Sequence, residues 1–138
     1  MLKMLNLNGK TVKVLTWNVW FEDQFEERFD AILKVMQESE ADIYCLQEVT
    51  PKMAEYILST PFMQNFYAEQ EGHNSQNDIR PYGMLIISRW PCLYYELEYK
   101  ETKQHRSLLL AEFMLPQRLI VCTSHFESSK DFKPARLW

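Results

Sequence analysis

The chain has 138 residues, 46% of them hydrophobic and 14% aromatic, with only three glycines and six prolines. That composition supplies core formers for one compact domain or part of a larger one, and it excludes disordered, fibrous and linker-rich classes. A net charge of −4 excludes a broad basic surface for nucleic acid, which needs clustered Lys and Arg, but leaves room for an acidic enzyme that grips a phosphate through a metal.

The first ten residues, Met1 to Lys10, alternate polar with apolar and lack the continuous apolar stretch of a signal peptide. No apolar run approaches membrane-spanning length. Thr11 to Val19 is rich in β-branched residues and reads as a strand. From Phe25 to Met36, the apolar residues Phe25, Phe29, Ile32, Leu33 and Met36 fall at helical spacing, which predicts a helix with one packed face. After a polar turn at Glu38-Ser39-Glu40, the short apolar run Asp42 to Gln47 suits a buried strand, completing a strand–helix–strand unit. Thr50 stands as an N-cap before Pro51, so a second helix is expected from Lys52 to Leu58, ended by Ser59 and Pro61.

The segment Glu71 to Pro81 is polar and turn-forming and reads as a loop. Three strands are expected after it, Tyr82 to Ser88, Ser107 to Met114 and Arg118 to Ser124, the last two joined as a hairpin through Leu115-Pro116-Gln117. Tyr94 to Tyr99 alternates like an exposed strand. A parallel crossover together with antiparallel hairpins predicts an α+β sandwich. The three cysteines, Cys45, Cys92 and Cys122, cannot all pair within the chain, and two of them lie inside apolar runs. Free thiols, and an intracellular setting in the cytoplasm or nucleus, are expected.

If the first two strands are parallel neighbours, Asn18 and Glu48 share the rim at their carboxyl ends, where ligands usually bind. One carboxylate beside an amide is a sensible site for Mg2+, which takes few protein oxygens and completes its shell with water and substrate phosphate. Structural readings stand beside this one: an Asn at a strand end is commonly a turn residue, and a Glu before Val49-Thr50 commonly caps a helix or is solvated.

Thr16-Trp17-Asn18, followed after one helix by Leu46-Gln47-Glu48-Val49, resembles the first two motifs of the endonuclease/exonuclease/phosphatase superfamily. Thr123-Ser124-His125-Phe126-Glu127-Ser128, at the end of an apolar strand, resembles the T-S-H-L-E-S segment of the tyrosyl-DNA phosphodiesterase branch, and Pro134-Ala135-Arg136 fits the start of its next helix. The similarity runs from about Val12 to Trp138 and includes the strand start Arg106-Ser107-Leu108-Leu109.

The resemblance implies a DNase I-like fold, of which this chain would be the N-terminal half of a four-layer α/β/β/α sandwich with mixed sheets. It implies that Glu48 is the direct Mg2+ ligand, with Mn2+ as an alternative, and that Asn18 helps place the phosphate and the nucleophile. His125, Ser128 and Arg106 are implied phosphate contacts. The implied reaction is hydrolysis of a phosphodiester in DNA, at 5' ends such as 5'-tyrosyl-DNA; no membrane and no particular protein partner is implied. The family's later motifs, G-D-x-N and S-x-H, do not occur in this sequence. Residues 1–138 therefore read as a partial domain truncated at the C-terminus, with poor solubility expected of its uncovered apolar faces. The alternative to an enzyme is an inactive fragment, or a module that binds phosphate or a partner without turnover.

Trp17, Trp20 and Phe21 fit either stacking on bases or packing at the rim. Lys130, Lys133 and Arg136 fit either DNA phosphates or an ordinary solvated helix start, and His73 and His105 read as solvated.

Overall fold

In the computed structural model, the residues described are 1–21, 26–70, 82–100 and 104–126. The expected loop at Glu71 to Pro81, the helix start at Pro134, Ser128, His73 and the three distal cations Lys130, Lys133 and Arg136 lie outside them.

The chain opens with an antiparallel hairpin of β1 (Leu2–Leu7) and β2 (Lys10–Asn18). Its turn is Asn8-Gly9, with φ of 51° and 86°, the pair of left-handed residues that a two-residue turn matched to strand twist requires. The alternation of the first ten residues is thus that of an edge strand and its turn, and Asn-Gly, a sharp short-range hairpin signal, is the local cue for it. Helix α1 (Glu26–Ser39) follows and continues past Met36, because Ser39 Oγ donates to the Met36 carbonyl and Glu40 takes the left-handed exit at φ 48°. Strand β3 (Ile43–Val49) then pairs parallel to β2, with Asn18 opposite Gln47. Helix α2 (Pro51–Leu58) starts as its sequence predicts, with Thr50 Oγ1 accepting from Met53 N–H at 3.2 Å.

After a short 3-10 turn at Pro61–Met63, β4 (Tyr67–Gln70) and β5 (Gly83–Ser88) complete a five-stranded sheet of order β1-β2-β3-β5-β4. A second sheet is the meander β6 (Leu93–Glu98), β7 (Ser107–Met114) and β8 (Arg118–Ser124), with the hairpin turn where the sequence places it. Strand β4 was not foreseen; at four residues it is too short to display a period.

The period of two along the central strands sorts their side chains onto two cores. Tyr44 and Leu46 of β3, with Leu85 and Ile87 of β5, pack under Phe29, Ile32 and Met36 of α1 and Met53 and Ile57 of α2. On the opposite face Ile43, Cys45, Met84 and Ile86 meet Leu109, Ala111 and Phe113 of β7 and Val121 of β8. The described layers are therefore helices, first sheet, second sheet. All three cysteines are free thiols, and burial pushes Cys45 up to about 12. Among the described residues no helix is long and apolar enough to cross a membrane.

Candidate phosphoryl-transfer site

The rim formed by the carboxyl ends of β2 and β3 is built by an irregularity. In the antiparallel pairing of β3 with β5, Leu46 faces Leu85 but Val49 faces Gly83, so the register shifts across Gln47 and Glu48. Glu48 sits inside this bulge at φ 60°, a left-handed conformation that costs a non-glycine residue about 1–3 kcal/mol and is held only where its surroundings over-determine it. Those surroundings are visible. Asn18 Nδ2 donates to Glu48 Oε1 at 2.8 Å, the Phe21 backbone N–H points at Oε2 at 3.4 Å, and His125 Nε2 lies 3.1 Å from Oε1. The carboxylate is largely covered, its side chain 13% exposed.

Asn18 is fixed from both ends, because its Oδ1 accepts the Trp20 N–H at 2.9 Å while its amide nitrogen holds Glu48. Trp20 is itself left-handed at φ 57°, a turn that brings its N–H back onto the asparagine. The turn reading and the site reading of Asn18 are therefore one arrangement: the turn orients the amide that orients the carboxylate.

His125 comes from the second sheet, one residue past the end of β8. Buried Gln47 sets its approach: its Nε2 lies 2.8 Å from Thr123 Oγ1 on β8 and 3.2 Å from Thr16 Oγ1 on β2. One amide thus ties three strands together directly below the rim, one residue before Glu48 and two before His125. Gln47 and Thr123 lie within the quoted motifs, yet sequence reasoning assigned them no role. A buried amide in a run of apolar residues is the signal that was available.

Arg106, 7% exposed, places Nη1 2.9 Å from His125 Nδ1 and Nη2 3.3 Å from Gln104 Oε1, with its guanidinium 5.8 Å from the Tyr82 ring. A guanidinium can only donate, so His125 Nδ1 accepts and its proton resides on Nε2, directed at Glu48. Burial first, and then the Arg106 charge, lower the His125 pKa, with Glu48 acting in the opposite direction. The imidazole is accordingly a neutral donor near pH 7. The structure brings together Asn18, Glu48, His125 and Arg106 of the sequence-predicted residues; Ser128 falls outside the described residues.

Of the rim aromatics, Trp17 packs against the helix-side core, Phe21 stacks on Tyr82 at 3.9 Å, and Trp20 remains 51% exposed. His105 is exposed and contacts none of the site residues among the described hydrogen bonds. A cavity of about 510 Å³ lies at the other end of the strands, lined by Lys13, Glu40, Asp42 and Arg89. Its charges are paired with one another, Lys13 with Glu40 and Arg89 with Asp42.

A helix layer on a mixed sheet, a second antiparallel sheet against its other face, and a polar site on the rim they share define a DNase I-like α/β sandwich. The chain belongs to the Endonuclease/Exonuclease/phosphatase family, whose model matches residues 15–113. Among solved structures, D. rerio TDP2 complexed with single-strand DNA product superposes with a TM-score of 0.76 at 22% identity, over 91% of this chain and 50% of that one. C. elegans TDP2 gives 0.75 at 19% identity, over 91% and 38%. ANGEL2, a 2',3'-cyclic phosphatase, in complex with adenosine-2',3'-vanadate gives 0.64 at 18%, over 83% and 41%. The chain thus spans about half of these structures or less, and at these identities the likeness establishes the fold. No curated protein matches the sequence.

Proposed function

We propose that this chain carries part of the active site of a divalent-metal-dependent phosphodiesterase that acts on DNA 5' ends, with a 5'-tyrosyl-DNA bond as the substrate to try first. The observation that carries this reading is the Asn18–Glu48–His125–Arg106 chain of contacts at one rim, 2.8, 3.1 and 2.9 Å in turn. The setting would be intracellular, in the cytoplasm or nucleus, in keeping with three free thiols.

The donor set fits Mg2+, or Mn2+ in its place. Among the described residues no group of three or more His, Cys, Asp or Glu gathers, which is unlike a closed zinc site and compatible with a cation that takes one carboxylate and keeps its waters. Glu48 would hold the ion. Bound there, it would supply Lewis-acid polarisation of a phosphoryl oxygen. Asn18 keeps the carboxylate aimed and restricts its rotation. The Nε2–H of His125, given to Glu48 in this structure, is the donor a phosphate oxygen would receive, and the buried Arg106 charge favours an anion at the rim. Ser128 is assigned to the same phosphate by its place in the third motif. Two of the fold neighbours support a nucleotide phosphate as the ligand class, and the first of them DNA: one TDP2 structure holds a single-strand DNA product, and ANGEL2, a 2',3'-cyclic phosphatase, holds adenosine-2',3'-vanadate.

The test is release of tyrosine from a 5'-phosphotyrosyl oligonucleotide by the chain and by Glu48→Gln, with Mg2+ present and absent. The expected result is that whatever Mg2+-dependent turnover this part of the site supports falls on the order of 100-fold to 1000-fold in Glu48→Gln. Calorimetric Mn2+ binding that Glu48→Gln abolishes is the accompanying readout. Turnover untouched by that substitution would overturn the assignment, and Mn2+ binding without turnover would favour a phosphate-binding module.

A further inference from the structure

Three aromatic residues follow one another closely at the rim, and only one is left in water. Trp17 lies against the core, Phe21 is covered by Tyr82, and Trp20 exposes 51% of its surface. A large ring left in solvent forgoes burial worth about 1.5–3 kcal/mol for side chains of this kind, and its left-handed backbone adds a cost of its own. The surroundings hold it there. Asn18 Oδ1 takes the Trp20 N–H, Arg28 Nη1 donates to the Trp20 carbonyl at 2.8 Å and Nη2 to the Val19 carbonyl, and the same guanidinium sits 5.2 Å from the indole centroid. The Trp20 backbone is therefore fixed with the Arg28 guanidinium beside its ring, and one of the groups that fix that backbone is the asparagine that also holds Glu48.

We propose that Trp20 is a stacking platform for the nucleobase adjoining the phosphate bound at Glu48 and His125. The substrate class rests on the phosphodiesterase reading above; the platform is an addition to it. Every base offers a π-face, so such a contact contributes affinity without sequence preference. It also compensates for a feature of composition: a chain of net charge −4 has little general attraction for a polyanion, and a stacked base supplies affinity that does not depend on charge.

The experiment measures binding of a short 5'-phosphorylated single-stranded oligonucleotide, in EDTA, to the full 138-residue chain and to its Trp20→Ala and Trp20→Phe variants. A matched oligonucleotide whose 5'-terminal nucleotide is abasic serves as the second probe, and O-phosphotyrosine as the third. Trp20→Ala is expected to weaken the first probe about 5-fold to 150-fold, Trp20→Phe to recover most of that, and the abasic probe to bind wild type and Trp20→Ala alike. Quenching of tryptophan fluorescence by the first probe should be diminished in Trp20→Phe. Equal losses for both oligonucleotides, no loss at all, no binding by the wild type, or a loss confined to O-phosphotyrosine would each overturn the proposal. Absence of Mg2+-dependent turnover, with Trp20-dependent binding intact, would instead remove the hydrolytic reading and leave the platform standing.

Discussion

The two sheets of this protein are built from similar residues and used differently. In the five-stranded sheet, β3 and β5 are buried on both faces, the helices taking one side and the second sheet the other. In the three-stranded sheet, β7 alternates, with Leu109, Ala111 and Phe113 fully buried between the sheets. The outward face of that sheet stays open among the described residues, exposing Leu93, Tyr95 and Leu97 of β6 and Ile120 of β8. Central strands that need no polar face can be continuous apolar runs, whereas a strand with one open face would ordinarily carry polar residues there. Beside the paired Glu112 and Arg118, these strands carry leucine, tyrosine and isoleucine there, so the outward face is more apolar than an open face ordinarily is.

Substitutions on either side of that contrast should separate sharply. Phe29→Ala removes a fully buried ring from the helix-side core and should cost about 3–5 kcal/mol in denaturant unfolding. A loss below about 1 kcal/mol would mean that α1 is not docked as described. Between the sheets, His125 supplies a pH test. Its folded pKa is lowered, so on acidification below about 6.5 the unfolded chain takes up a proton that the folded one resists. Stability from this group is therefore complete above pH 6.5 and declines below it. The melting temperature should fall over that window, and His125→Gln should flatten the decline. An unchanged decline in that variant would locate the titration elsewhere. The smallest effect is expected on the open face, where Leu97 is 55% exposed. Leu97→Ala should change unfolding free energy by less than about 0.5 kcal/mol; a cost like that of Phe29→Ala would show that the face is covered in solution.

Much of this was legible in the chain. The α1 face, the Thr50–Pro51 start of α2 and the β7–β8 hairpin each depend on neighbours a few residues away, and each lies where local pattern placed it. Two local elements carry weak patterns: the hairpin at Asn8-Gly9, whose first strand is short and exposed, and the four residues of β4. At the site, the strand ends put Asn18 beside Glu48 and the motifs pointed to His125 and Arg106, but as phosphate or metal contacts and not as hydrogen-bond partners of one another.

By itself the sequence determined that Asn18 and Glu48 lie at the carboxyl ends of neighbouring strands, because a period of two and a helix between two apolar runs place them there. Tertiary structure alone decided how those residues act on one another. The bulge that turns Glu48 left-handed, the Gln47 amide that brings β8 to β2 and β3, and the Arg106 contact that puts the His125 proton on Nε2 all join residues far apart in the chain. Such contacts depend on register and distance between strands, and no local pattern of residue types encodes either one.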